Sequence, residues 1–173
     1  MGLRPAHIYN RLNRACLDSG ALAIHRNAIL TLYREVKAAH AEWLKGAPPT
    51  RLATESQQFI DLLSEIFLVS RKPLSLSDRP RPHRQDSNGR LKSEVHGLCS
   101  PDGNIRIYLR TARQGRPAAF KTLLNTLIHE WVHHYDFEAL MDTIHCAGFY
   151  RRIGAIYNCC LQSEAPSQQR QGI

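Results

Sequence analysis

His129, Glu130 and His133 stand in the order His-Glu-Trp-Val-His. Residues i and i+4 of an α-helix lie about 40° apart around the axis and one turn apart along it, so two imidazoles at this spacing reach one ion. The glutamate between them lies about 100° round from His129, close enough to a water on that ion to take its proton. The pattern H-E-x-x-H thus points to hydrolysis, with His129 and His133 as metal ligands and Glu130 as the catalytic acid/base. The helix must also be anchored. At about 100° per residue, Phe120, Leu124, Leu127, Trp131 and Tyr135 fall on the side opposite the two histidines. That stripe faces a core and leaves the histidines toward a cleft.

A catalytic zinc ion takes three protein ligands and keeps one position open. His145, Asp136 and Glu164 compete for the third place. A metzincin would carry histidine at position 139, which is Ala139, so that class is excluded. Asp136 shares the histidine sector but sits almost two turns from His129, a better place for a hydrogen bond to a ligand imidazole. His145 is preferred, because the chain can end the helix, turn through Met141-Asp142-Thr143 and bring an imidazole back over the ion. His134 projects about 140° from His129 and is expected to face elsewhere. Cys146 is a possible soft ligand with a buried thiol as the simpler expectation, and Tyr135 and Tyr150 are expected to pack.

The elements that must position these groups follow from periodicity and breakers. Residues 5–18 and 21–45 read as helices. Pro48 and Pro49 then break the chain. A third helix is expected with Thr54 or Ser56 as its cap and Phe59, Leu62, Leu63, Ile66 and Phe67 on its apolar face. Leu74 and Leu76 alternate with serines as in a short strand, which Pro80 and Pro82 should end. Residues 83–90 read as a basic loop and 92–112 as a β-hairpin with Ile105, Ile107 and Leu109 inward. Pro117 is placed to open a helix running over 117–139. A last helix after His145 puts Phe149, Ile153, Ile156 and Cys160 on one stripe. The order predicts an α+β fold with N-terminal helices, a small antiparallel or mixed sheet, the H-E-x-x-H helix and a C-terminal helix.

Composition bounds the rest. The chain has 173 residues, 43% of them hydrophobic, enough for one folded core. No 18-residue apolar run predicts a membrane span, no apolar leader opens the sequence, and Ala6 stands where a myristoylation signal needs Ser or Thr. Five scattered cysteines without a C-x-x-C pair read as free thiols in a reducing cytoplasm. The net charge is +8, and block 71–116, with 11 basic and 4 acidic side chains, holds +7 of it. Such a block is either a solvated surface or a footprint for a polyanion such as DNA.

The segments Leu127-Ile-His-Glu-Trp-Val-His-His134 and His145-Cys-Ala-Gly-Phe149, with the expected hairpin ending in residues 105–111 ahead of them, resemble the SprT-like zinc metallopeptidases. That group includes the Spartan DNA–protein crosslink proteases. The resemblance covers roughly residues 54–160. It implies a zincin-like fold, Zn²⁺ on His129, His133 and His145, Glu130 as catalytic residue, and cleavage of protein substrates, DNA-bound ones among them. The paired cysteines of the C-terminal zinc ribbon frequent in that family are absent from this sequence. On this reading 1–50 is an N-terminal helical extension, 51–161 the metallopeptidase domain and 162–173 a disordered tail. The substrate is expected to pair with an exposed edge of the 104–111 strand. A different class of protein is a DNA-associated binding protein with a structural or vestigial zinc site, and a structural site would need a fourth ligand such as Asp136 or Cys146. A toxin-like peptidase with one dedicated target is a third reading. The sequence leaves the oligomeric state open.

Overall fold

A computed structural model describes residues 6–161; Glu164 and the tail 162–173 lie outside them. The fold is α+β, as expected. Helices α1 (Ala6–Arg14), α2 (Ser19–Ile24), α3 (Arg26–Leu44) and α4 (Thr50–Ile66) come first. Strands β1 (Leu74–Pro80), β2 (His83–Gln85), β3 (Leu91–Glu94), β4 (Gly97–Cys99) and β5 (Ile105–Arg110) follow, and α5 (Phe120–Leu140) and α6 (Ala147–Leu161) close the chain. Among the described residues, no helix is long and apolar enough to cross a membrane.

The helices bury what their periodicity selects. In α3, Ile29, Tyr33, Val36, His40 and Trp43 repeat at helical spacing and are all buried. The expected 21–45 helix is interrupted at His25, whose backbone N–H and ring Nδ1 both bond to the Ala21 carbonyl. Asp18 caps α2 by accepting from the N–H groups of Gly20 and Ala21. The cap expected at Thr54 or Ser56 is corrected: α4 begins at Thr50 behind Pro49, whose ring presets a helical φ. The Thr54 hydroxyl bonds back to the Thr50 carbonyl and Ser56 is buried inside the helix.

The β1 strand ends at Pro80, as expected, on an edge that tolerates proline. The rest of the strand region departs from expectation in three ways. The loop expected over 83–90 is a β2–β3 hairpin, closed by Asp86, whose carboxylate accepts from the N–H of Asn88 and of Arg90. The expected 92–112 hairpin is therefore shortened to β4 pairing antiparallel with β5. In the three-stranded sheet the order is β1-β5-β4, with β1 parallel to β5. This overturns the exposed edge expected for the 104–111 strand: β5 is central, and β4 carries the open edge on the site side. The inward set Ile105, Ile107 and Leu109 is buried as predicted.

Pro117 does not open α5. It bridges Arg110, and the Ala118 N–H donates to the Leu109 carbonyl, so the chain stays extended until Ala119. One cluster of buried apolar side chains then runs through the molecule, from Leu12 and Val36 through Phe59 and Ile107 to Trp131 and Phe149. The Trp131 indole N–H donates to Ser64 Oγ at 3.0 Å, fixing α5 against α4.

Candidate metal centre

Helix α5 buries Leu124, Leu127, Ile128, Trp131 and Val132 and turns His129 and His133 toward a cleft. Met141, left-handed at φ 60°, ends the helix and reverses the chain. The return loop then delivers His145. The Nε2 atoms of His129, His133 and His145 form a near-equilateral triangle, with sides of 3.1, 3.0 and 3.1 Å. Phe149 lies beneath all three rings, its centroid 5.0, 4.5 and 4.9 Å from theirs, and is fully buried.

Three ring nitrogens so arranged fit a shared cation. Each Nε2 has one in-plane lone pair or one hydrogen, and cannot bond to two neighbours at once. Tetrahedral coordination at about 2.0–2.1 Å wants nitrogens about 3.3–3.4 Å apart, within a few tenths of an ångström of this triangle. Burial, then the charges of its neighbours, lowers the pKa of His129 to about 4 and of His133 to about 3, keeping both neutral and ligand-competent at neutral pH. These three histidines are the metal-capable cluster among the described residues. Cys146 is buried, as expected of a structural thiol. His134 is also buried and donates Nε2–H to the Ser70 carbonyl at 2.8 Å, away from the trio.

Glu130 is almost wholly buried under β4. Burial raises its pKa to about 7, opposed by the backbone N–H of Cys99, which donates to its carboxylate. Gly97 is what permits this cover. A Cβ there would lie 2.8 Å from Glu130 Cγ and from Thr126 Cγ2. The cavity in front of Glu130 measures about 430 Å³ and is bounded by Val95, His96 and Gly97 on one wall and Thr126, His129 and Glu130 on the other.

Asp136 sits where a ligand-orienting group was expected, but one residue removed. It is fully buried, ion-paired to Arg152 at 2.6 Å, and meets the Thr143 hydroxyl, which in turn contacts His133 Nδ1 at 2.8 Å. Sequence reading missed Thr143 and also His96, which faces the cleft with Nε2 at 2.9 Å from Glu94 Oε1; buried Arg81 backs that carboxylate. The alternation Glu94-Val95-His96 puts the pair on one strand face, a legible signal, but not which helix they oppose.

The basic block spreads over β1 to the loop after β5. Arg71 pairs with Glu65, Arg81 with Glu94 and Arg110 with Asp78. Arg84, Arg90 and Lys92 of the β2–β3 hairpin and Arg113 are exposed. Comparison with family models, with curated proteins and with solved structures gives no match.

Proposed function

We propose that this chain is a zinc-dependent endopeptidase with a zincin-like, SprT-like architecture. The observation that carries the proposal is the triangle of three imidazole nitrogens beside a buried glutamate, at the wall of an open cavity. His129, His133 and His145 would hold the ion. Zn²⁺ in such a site supplies Lewis acidity, which acidifies a water and polarises a carbonyl. No fourth His, Cys, Asp or Glu joins the trio among the described residues, and Asp136 is committed to Arg152, which favours an open coordination position over a structural site.

Glu130 takes the proton of the attacking water as oxygen adds to the scissile carbon. It then passes that proton to the departing amine nitrogen as the C–N bond breaks. The Cys99 N–H steadies the carboxylate while it is charged. Strand β4 holds the substrate. His96 and Ser100 bond to β5, so alternation turns the backbone of Gly97 to the open edge, where an extended peptide pairs with it. The exposed hairpin cations Arg84, Arg90 and Lys92 would hold nucleic acid beside this cleft, making DNA-bound proteins the substrate class.

Glu130→Gln decides the catalytic assignment. The variant is expected to retain zinc by metal analysis and to lose about 10²–10⁴-fold in cleavage of a DNA-bound protein substrate. Undiminished cleavage overturns it. Cleavage of the same substrate with and without DNA, at rising salt, tests the polyanion footprint.

A further inference from the structure

Thr143 occupies the return loop between α5 and His145, and its hydroxyl carries one hydrogen. Asp136 Oδ2, 3.3 Å away, is the carboxylate acceptor for it. Asp136 is buried against the Arg152 guanidinium at 2.6 Å and serves as acceptor only. The hydroxyl oxygen is thereby left to accept, and the group it faces is His133 Nδ1 at 2.8 Å. This arrangement selects the His133 tautomer with its hydrogen on Nδ1, which leaves the Nε2 lone pair directed at Nε2 of His129 and of His145. Arg152 anchors the far end: its Nη1 donates to the carbonyls of Leu12 and Ala15, at the close of α1.

We infer that Thr143 and Asp136 are positioning residues of the metal centre, a relay that fixes the tautomer and ring plane of His133 and is moored by Arg152 to the end of α1. The inference rests on the metal reading of the histidine trio. Among the described residues, no comparable side chain meets Nδ1 of His129 or His145, so the relay makes His133 the preset ligand. A hydroxyl is required at position 143, and a methyl in its place leaves the Nδ1 hydrogen without an acceptor.

The test uses the full chain and Zn²⁺, titrated against a chromophoric chelator. Thr143→Val is expected to weaken Zn²⁺ binding about 10–100-fold, and Thr143→Ser to restore it. Asp136→Asn should weaken binding in the wild-type background and add little in the Thr143→Val background, as two members of one chain do. Melting of each metal-free variant separates misfolding from lost affinity. If Asp136→Asn does not fold, the Thr143 pair decides alone. In the metal-free chain, ¹⁵N NMR should find the His133 hydrogen on Nδ1. Wild-type affinity in Thr143→Val, equal losses from Asp136→Asn in both backgrounds, or a hydrogen on Nε2 overturns the relay and leaves the metal reading standing. A wild-type chain that takes up no Zn²⁺ overturns both.

Discussion

Glu130, His129 and His133 are titratable groups held partly or wholly out of water, and the shift of the carboxylate opposes those of the two rings. Folded His129 and His133 titrate near 4 and 3, against an ordinary 6.5. Between those values the unfolded chain binds the extra protons, so stability of the metal-free protein rises with pH up to the ordinary histidine range. Folded Glu130 titrates near 7, against an ordinary 4.5. There the folded chain holds the proton, so this contribution falls as pH climbs through that window. Urea unfolding in the presence of a chelator should show a net rise from pH 4 to 6, because two histidines outweigh one glutamate. Glu130→Gln should steepen the rise and abolish any decline toward pH 7. Loss of one ring is a separate matter: on the proposed zinc reading, His145→Ala should bring zinc content below stoichiometric on dialysis, as only two of the three proposed ligands remain. The trio was legible in the sequence because i, i+4 spacing and a nearby turn constrain imidazoles strongly. Thr143 and His96 were not, since each matters only through a partner that tertiary packing brings near.

Gly97 shows what an element contributes that no single residue announces. Strand β4 crosses so close to α5 that a methyl group would enter the Glu130 side chain. Gly97→Ala is expected to cost about 1–3 kcal/mol of stability, read by denaturant titration, and, on the proposed function, to cut peptide cleavage while zinc content stays at the wild-type level. Equal activity in the variant would mean that the strand can slide without moving the carboxylate. Alternation told which side chains of β5 face the core, and Ile105, Ile107 and Leu109 are buried accordingly. It said nothing about neighbours. Which strand lies beside which is decided by long-range pairing, and here β1 takes the edge of β5 that local reading left open. The helix start at Pro117 failed for a related reason: the Ala118 N–H already belongs to the strand before it.

Across the whole molecule, the N-terminal helices and the site helices share one apolar cluster. They meet closely at Gly148, where a Cβ would stand 2.4 Å from the Leu12 carbonyl oxygen and 2.5 Å from that of Asn13. Backbone cannot swing aside as a side chain can, so Gly148→Ala should lower stability by about 1–3 kcal/mol, measured as a shifted denaturation midpoint. Arg152→Met should cost more, about 3–5 kcal/mol, because it strands the Asp136 charge in a dry interior. The glycine and phenylalanine after His145 were visible in sequence as a motif. Their physical duties, close approach for one and a floor under three rings for the other, depend on α1 and α6 meeting across more than a hundred residues.

That meeting has a temporal side. A ribosome translates His129, His133 and His145 before it reaches Phe149 and Arg152. A nascent chain that stops short of α6 has all three imidazoles and neither the ledge beneath them nor the clasp on the first helix. The trio gains its floor and its tie to α1 only from residues translated after it.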